Sequence, residues 1–429
     1  MRSLDYDFII VGSGAGGSTL GWELAKKGMS VLLIERGHDI KKVGQFRDIL
    51  KFYDLYKYTK TPKKSQEGVI LYRTFMPGGT TVVSTGNGVT GLENKMSEIG
   101  INIEEEMEET IRELKVLPSS EKIHSNGSEA IYNAARDLGY MMEPMPKFID
   151  QNKCVKCGMC VFGCKNNAKW TAKNYLDKAD KLGVQIEYNS KVERVIIKDN
   201  IAIGVEGIDN DGVFKYFASN IILAAGGLGT PVIIKNSNIY DNEVGENLFV
   251  DIFVNVYGIA NGINQTNEPP MEFVDSEFHD SDGFIISSFI NRDNKIRFIE
   301  AGLKGYRFPN KKLIGMMIKI VDESSGKVFS NGIVSKPVKA SDWEKLNKGI
   351  EISKEILIKA GADENSILVS NPQGAHPGGT AAIGKFVDNK LHSKINNLYV
   401  CDGSVFPESP GLPPIITIVA LAKRLAKSF

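Results

Sequence analysis

The sequence predicts an α/β fold in which a parallel-sheet domain is joined to a second, smaller α+β domain built on an antiparallel sheet. Three observations predict it. The chain opens on an apolar strand, a glycine turn, a helix and a second apolar strand. The same strand-to-glycine step recurs near Ile221. From about 251 to 370 the pattern changes to short alternating strands with a helix near Ser341 to Ala360, and no glycine fingerprint recurs.

Asp7 to Val11 (DFIIV) reads as a buried strand that runs into Gly12-Ser13-Gly14-Ala15-Gly16-Gly17, then into a helix from Ser18 to Lys27 stopped by Gly28. Val31 to Ile34 forms the second strand and ends on Glu35, followed by Arg36. This is G-x-G-x-x-G in its full β-α-β setting, the Rossmann-like fingerprint of a dinucleotide site. Gly12 permits the tight turn, Gly14 lets a pyrophosphate approach the backbone, and Gly17 lets helix and strand pack closely. Unpaired N–H groups at the helix start, near Ala15 and Gly16, favour the phosphates, and Glu35 can accept from ribose hydroxyls.

Beyond Glu35 a polar, Lys- and Tyr-rich stretch runs to about Val69 and reads as surface helix and loop. Met76 to Gly91 (MPGGTTVVSTGNGVTG) is dense in glycine and small hydroxyl residues, so it reads as a second cofactor-contacting segment. Its candidate contacts are Gly78, Gly79, Thr80, Ser84 and Asn87. The acidic helix Ile103 to Leu117 is read as carrying its charges into solvent, and a further helix spans Ser125 to Leu138. An amphipathic helix, Ala172 to Leu182, precedes a hairpin over Val184 to Val205 that turns at Asp199-Asn200 and contains Val192. Ile221 to Ala225 is a buried strand delivering Gly226-Gly227, so Ala225 and Gly226 point at the same ligand edge. The tail returns with strand Leu398 to Cys401, then Asp402-Gly403, then a long helix from Pro414.

With 52 basic and 52 acidic residues the formal charge is zero, which speaks against nucleic acid or an anionic membrane surface as partner. The first residues lack an apolar signal core, and no apolar run approaches a membrane span, so no transmembrane segment and a cytoplasmic location are expected. Four of the five cysteines, Cys154, Cys157, Cys160 and Cys164, fall in C-x2-C-x2-C-x3-C. Thiolates at this spacing suit an iron–sulfur cluster, most simply 4Fe–4S with 3Fe–4S as the variant. Structural zinc and free or disulfide-bonded thiols remain open, as does replacement of the fourth ligand by Cys401. Lys165 stands where ferredoxins usually carry proline.

Several motifs in order resemble the glucose-methanol-choline (GMC) family of FAD oxidoreductases: VGSGAGGS, PGGTTVVS, LAAGGLGTPVIIKNS, VGENL, AHPGGTAAIG and VCDGSVFPESPGLPPIITIVALAKRLA. ESSGKVFSNG and SDWEKLNKGIEISKEILIKAGA look like the branch holding long-chain alcohol oxidases. CVKCGMCVFGCKNNAKWTAKNYL looks like the cysteine segment of that branch and of iron–sulfur, FAD-linked glucose dehydrogenases. The resemblance implies FAD as cofactor, with Asp402, Gly403 and the Pro414 helix end near the flavin. It also implies oxidation of a CH–OH group, with hydride leaving for the flavin and a base taking the hydroxyl proton. Only His376, in A-H-P-G-G-T, lies in the family pattern; His38, His124, His279 and His392 sit in polar surroundings and read as surface residues. One departure stands out: Pro413 occupies the position where the family usually has a second histidine or an asparagine. Glu408, Ser409 and Asn87 are the candidates to replace it.

The expected division is a discontinuous FAD-binding domain (1–99, 173–250 and 371–429), a helical insertion with the cysteine segment (100–172), and a substrate domain (251–370). The expected partners are a small-molecule alcohol, sugar-like or bulky and apolar, and a one-electron carrier such as a ferredoxin, a cytochrome or a quinone-linked subunit. Two alternatives to this dehydrogenase are an oxygen-using alcohol oxidase with structural cysteines and a non-catalytic electron-transfer flavoprotein.

Overall fold

In the computed structural model, residues 5–58 and 62–429 are described; the first four residues and 59–61 of the polar stretch lie outside them. The opening strand is Tyr6–Val11, the helix Ala15–Lys26 and the second strand Val31–Ile34. Both strands are near-continuous apolar runs because both faces of a parallel sheet are covered. Tyr6–Val11 sits between Val31–Ile34 and Val213–Leu223, all parallel, while Gln185–Glu187 and Leu398–Val400 extend the two sides. Val213–Leu223 is longer than the strand expected at Ile221. Its second half joins the parallel sheet, and its first half pairs antiparallel with Ile201–Ile208, which pairs in turn with Lys191–Lys198. Asp199 and Asn200 turn that hairpin with φ of 50° and 61°, the left-handed pair that a two-residue turn requires.

The second sheet runs in the order Ile70–Leu71, Gln373–Gly374, Ile252–Ile259, Leu313–Ile320, Phe284–Ser288, Phe273–Asp275, Glu143–Pro144. It is antiparallel except where Ile70–Leu71 meets Gln373–Gly374, so it also draws on strands outside 251–370. Alternation sorts its two central strands. Ile252, Val254, Val256, Ile314, Met316, Ile318 and Ile320 pack on one face with Leu346, Ile350, Ile356 and Leu357 of the helix Ala340–Lys359. Phe253, Asn255, Tyr257, Met317 and Lys319 therefore share the other face, where the register pairs Phe253 with Lys319 and Asn255 with Met317.

The terminal helix Ile415–Lys427 is buried in the first core with Ala15–Lys26 and Glu104–Leu114. Here the solvated-face expectation for the acidic helix is corrected. Lys423, buried on the terminal helix, is ion-paired with Glu109 at 2.9 Å and Glu113 at 3.0 Å, and Lys427 with Glu106 at 2.7 Å. The carboxylates are needed there because a buried ammonium requires paired acceptors. The polar stretch after Glu35 is likewise more than surface: Ile49 and Phe52 pack with Met76, Val82 and Phe162. His124 is also no surface residue. Its Nε2 lies 2.9 Å from Ser119 Oγ, which also hydrogen-bonds Glu272, and its ring packs on Phe273. Burial, with the charges of Lys156 and Lys147, pushes its pKa down to about 4. Among the described residues no helix is long and apolar enough to cross a membrane.

Candidate active site

The ends of the parallel strands, the turn after Met76 and one face of the antiparallel sheet enclose a cavity of about 930 Å³, large for a cofactor site. Gly12, Gly14, Ala15 and Gly16 line it from the first turn, with Glu35 and Arg36 beyond the second strand. Gly79, Thr80, Ser84 and Asn87 line it from the second turn, and Val192, Ala225 and Gly226 from the hairpin and the later strand. Asp402, Gly403 and Pro414 close the same cavity, and His376 is on its wall. Gly17 and Gly78 stand one layer back. A Cβ on Gly17 would lie 1.9 Å from the carbonyl oxygen of Gly12, and the Gly78 N–H is 3.3 Å from Ser13 Oγ.

Local chemistry along this wall suits a dinucleotide. The helix Ala15–Lys26 starts at Gly14 with no side-chain cap, and a Cβ on Gly14 would meet nothing within 4 Å. Unpaired N–H groups therefore border open space at the positive end of a helix. Glu35 Oε2 accepts from the Ser13 N–H at 3.0 Å and the Ser13 hydroxyl at 2.5 Å, and Oε1 accepts from the Gly37 N–H at 2.7 Å. One acceptor position on Oε1 is left for a ribose hydroxyl. Asp402 also braces the wall, because its Oδ2 accepts from the Gly226 N–H at 2.8 Å and Thr230 Oγ1 at 2.6 Å and so ties the tail to the Gly226 turn. Arg73, unnoticed in the sequence, shares the ring of Phe75 with Arg36, the guanidinium carbons lying 4.7 and 4.0 Å from its centroid. Burial lowers the Arg73 pKa to about 10, against the pull of Asp54. The terminal helix also starts without a side-chain cap, and Pro413, Pro414, Ile415 and Ile418 at its start border the cavity. Size, open glycine and uncapped helix starts together fit FAD.

At the antiparallel-sheet end, His376 Nδ1 lies 2.8 Å from Asp251 Oδ2. A carboxylate only accepts, so Nδ1 carries the proton and Nε2 offers its lone pair. Asp251 is fully buried at φ 50° and is fixed through Oδ1 by Ser409 Oγ at 2.7 Å and the Gly411 N–H at 3.1 Å. Burial first, and the Lys319 charge second, lower the His376 pKa, with Asp251 opposing. Lys319 lines the cavity from the strand Leu313–Ile320. Glu300 lines it too, accepting from Tyr257 at 2.6 Å, Asn291 at 2.5 Å and Asn255 at 3.3 Å, with its pKa pushed up to about 7 by burial.

Of the three candidates to replace the polar group at Pro413, Asn87 lines the cavity and Glu408 and Ser409 do not. Glu408 is half exposed beside Lys95, and Ser409 serves Asp251. Asn87 accepts from Lys147 at 2.9 Å and contacts Met271 Sδ at 3.0 Å. Asp251 and Lys319 were missed in the sequence, although each is a lone charge within an apolar strand run, LFVDIFV and LIGMMIKI.

Cys154, Cys157, Cys160 and Cys164 line one small cavity with Ile149, Ala168 and Lys169. Cys401 is buried elsewhere, beside Gly16. Left-handed backbone at Lys156, Gly158, Gly163 and Asn167 curls the segment, and the Ala168 N–H points to Cys164 Sγ at 3.3 Å. Among the described residues, no three His, Cys, Asp or Glu side chains group as ligands of one metal ion.

The GMC oxidoreductase family model matches residues 6–252, and its C-terminal counterpart, described in the same words, matches residues 334–422. An uncharacterized protein of Methanocaldococcus jannaschii is 33% identical over 98% of this chain and 99% of its own length. A long-chain-alcohol oxidase of Arabidopsis thaliana is 23% identical over 98% of this chain and 68% of its own. The crystal structure of pyridoxine 4-oxidase from Mesorbium loti superposes with a TM-score of 0.75 at 15% identity, covering 99% of each chain, a likeness of fold. The chain belongs to the GMC oxidoreductase family. It is accordingly an FAD-dependent oxidoreductase.

Proposed function

We propose that the chain is a dehydrogenase of CH–OH groups, with His376 as base and the four cysteines holding an iron–sulfur cluster that passes electrons to a one-electron carrier. FAD, when bound, accepts the hydride equivalent. The glycine turns and uncapped helix starts hold its phosphates, Glu35 its ribose, and the start of the helix Ile415–Lys427 favours negative charge on the ring system. His376 takes the hydroxyl proton at Nε2, and Asp251 keeps that nitrogen unprotonated and aimed.

The observation that carries the electron exit is the adjacency of the two cavities. Cys160 lines the cysteine cavity and its neighbour Val161 lines the main one. Lys169 bridges them from behind, bonding the carbonyls of Val82 at 2.9 Å and Cys160 at 3.2 Å as well as that of Ser84. Ligand spacing, the common cavity and the N–H···S contact also support the cluster. On this reading 1–99, 173–250 and 371–429 hold the flavin, 100–172 the cluster and 251–370 the substrate. The carrier would be of the ferredoxin, cytochrome or quinone-linked type.

The oxidase names of relatives favour a second reading, in which oxygen takes the electrons and the cysteines are structural. Iron and acid-labile sulfide analysis with an anaerobic visible spectrum decides between them, before and after a panel of alcohols. The dehydrogenase reading expects flavin bleaching together with reduction of an iron–sulfur chromophore. Flavin without iron or sulfide, with peroxide formed in turnover, would establish the oxidase.

A further inference from the structure

We propose that Lys319 is the anion-binding residue of the substrate site, so that the alcohol oxidised here is a hydroxy acid whose carboxylate sits on the Lys319 ammonium while its hydroxyl meets His376. The proposal rests on the reading of His376 as base and adds the substrate class.

Among the described residues five lysines are buried: Lys147, Lys169, Lys319, Lys336 and Lys423. Four have partners that account for burial. Lys147 bonds the Pro270 carbonyl at 2.7 Å and Asn87 at 2.9 Å, Lys169 three carbonyls, Lys336 pairs with Asp322 at 2.9 Å, and Lys423 with Glu109. The ammonium of Lys319, a residue 5% exposed, makes no hydrogen bond or ion pair with any described residue, and it borders the cavity. That ammonium opens onto the cavity rather than into packed protein, so its acceptor comes from what occupies the cavity.

Neighbouring groups do not fill that place. Asp251 is the opposite charge that acts on Lys319, but its oxygens already hold His376, Ser409 and Gly411. Glu300 is held by Tyr257, Asn255 and Asn291, and Gln373 Oε1 by Tyr72 at 2.7 Å. Around Lys319 the cavity wall is apolar, made by Phe253, Met271, Phe289 and Met317. Asn255 Oδ1 on the same sheet face and Ser84 Oγ on the wall are also without partners, but both are neutral; the Lys319 ammonium is the cation, and His376 Nε2 the base, that face this end of the cavity.

Their shared end of the cavity sets the ligand class. Lys319 pairs with Phe253, two residues after Asp251, and its charge acts on both Asp251 and His376. His376 is bonded to Asp251, so both functions lie at one end of the cavity, where one ligand bearing a carboxylate and a hydroxyl meets both. In the reaction the carbinol C–H leaves as hydride to FAD, the O–H proton goes to His376 Nε2, and the oxo acid remains. The carboxylate is unchanged throughout and contributes binding and orientation.

The test is a titration of the FAD-loaded, oxidised protein under anaerobic conditions, read by perturbation of the flavin spectrum. Ligands are short carboxylates, hydroxy acids and uncharged alcohols of matched carbon skeleton. The wild type is expected to bind the carboxylates more tightly than the alcohols, and Lys319→Met to weaken carboxylates by about 10- to 100-fold, the loss of one charge-assisted hydrogen bond, leaving alcohols unchanged. Lys319→Arg should retain part of the affinity. His376→Asn should still bind hydroxy acids but no longer bleach with them; bleaching by that variant would overturn the base and leave the anion site standing. Equal binding of alcohols and carboxylates by the wild type would overturn the anion site, as would equal weakening of both by Lys319→Met. Should Lys319→Met fail to fold, the wild-type comparison and Lys319→Arg decide.

Discussion

Asp251 Oδ2 and His376 Nδ1 are 2.8 Å apart, and the carboxylate that orients the imidazole is itself held in a left-handed backbone conformation at φ 50°. A non-glycine residue there carries roughly 1–2 kcal/mol of strain, retained where it aims a functional group. Asp251→Asn keeps the shape, and asparagine tolerates left-handed backbone, but its amide can donate to Nδ1 and so favours the wrong tautomer. Substrate-dependent flavin bleaching is expected to slow by about 10²–10⁴-fold, as when a histidine base loses its orienting carboxylate. Flavin content and thermal stability should stay near wild type. Anaerobic stopped-flow absorbance checks it, and unchanged bleaching would remove Asp251 from the mechanism.

Gly14 and Gly17 are predicted to fail in different ways. A Cβ on Gly14 meets nothing within 4 Å, whereas one on Gly17 would stand 1.9 Å from a backbone oxygen. Gly14→Ala should therefore yield folded protein as stable as deflavinated wild type, with FAD affinity at least about tenfold weaker because the new methyl occupies phosphate space. Gly17→Ala should lose about 3 kcal/mol or more of stability, since the clash is with backbone that cannot step aside. Flavin fluorescence after denaturation, with thermal melts, separates the two.

These two glycines also show why the nucleotide half was legible in the sequence. Each turn glycine answers a local demand of chain geometry, and strand, turn and helix are contiguous there. The catalytic end has no such contiguity: His376 and Asp251 are 125 residues apart, and Lys319 is brought to them by strand pairing alone. A lone charge in an apolar strand is visible in the sequence. Which face of the sheet is the cavity depends on where the helix Ala340–Lys359 packs, and that is a tertiary fact. Likewise the acidic helix reads as solvated in the sequence because Lys423 lies 314 residues from its partner Glu109.

Glu300 gives a pH prediction. Burial lifts its carboxyl pKa from 4.5 to about 7, so between those values the folded state binds more protons than the unfolded chain, and stability falls as pH rises. Glu300→Gln removes that slope. Relative to wild type the variant should be little changed near pH 5 and more stable near pH 8, by on the order of 1–3 kcal/mol. Denaturant unfolding at the two pH values checks it; an equal difference at both would show that Glu300 stays ionised throughout.

The same reasoning with opposite sign applies to Lys319. Burial lowers its pKa from 10.5 to about 8, so at pH 7 both folded and unfolded chains carry the ammonium and the folded one bears the whole desolvation penalty. Lys319→Met removes a buried cation that has no hydrogen-bonded partner among the described residues, and should stabilise the ligand-free protein at pH 7 by on the order of 1–3 kcal/mol. Between pH 8 and 10.5 the wild type sheds the penalty as the folded lysine deprotonates first, so the variant's advantage should shrink and vanish. A residue kept at such a cost to stability is one whose charge serves a ligand, and unfolding curves measured across this range, without and with a saturating carboxylate, test both halves. The carboxylate should narrow the gap at pH 7 by stabilising the wild type more than the variant; a variant less stable than wild type at pH 7 would show that Lys319 is a structural cation.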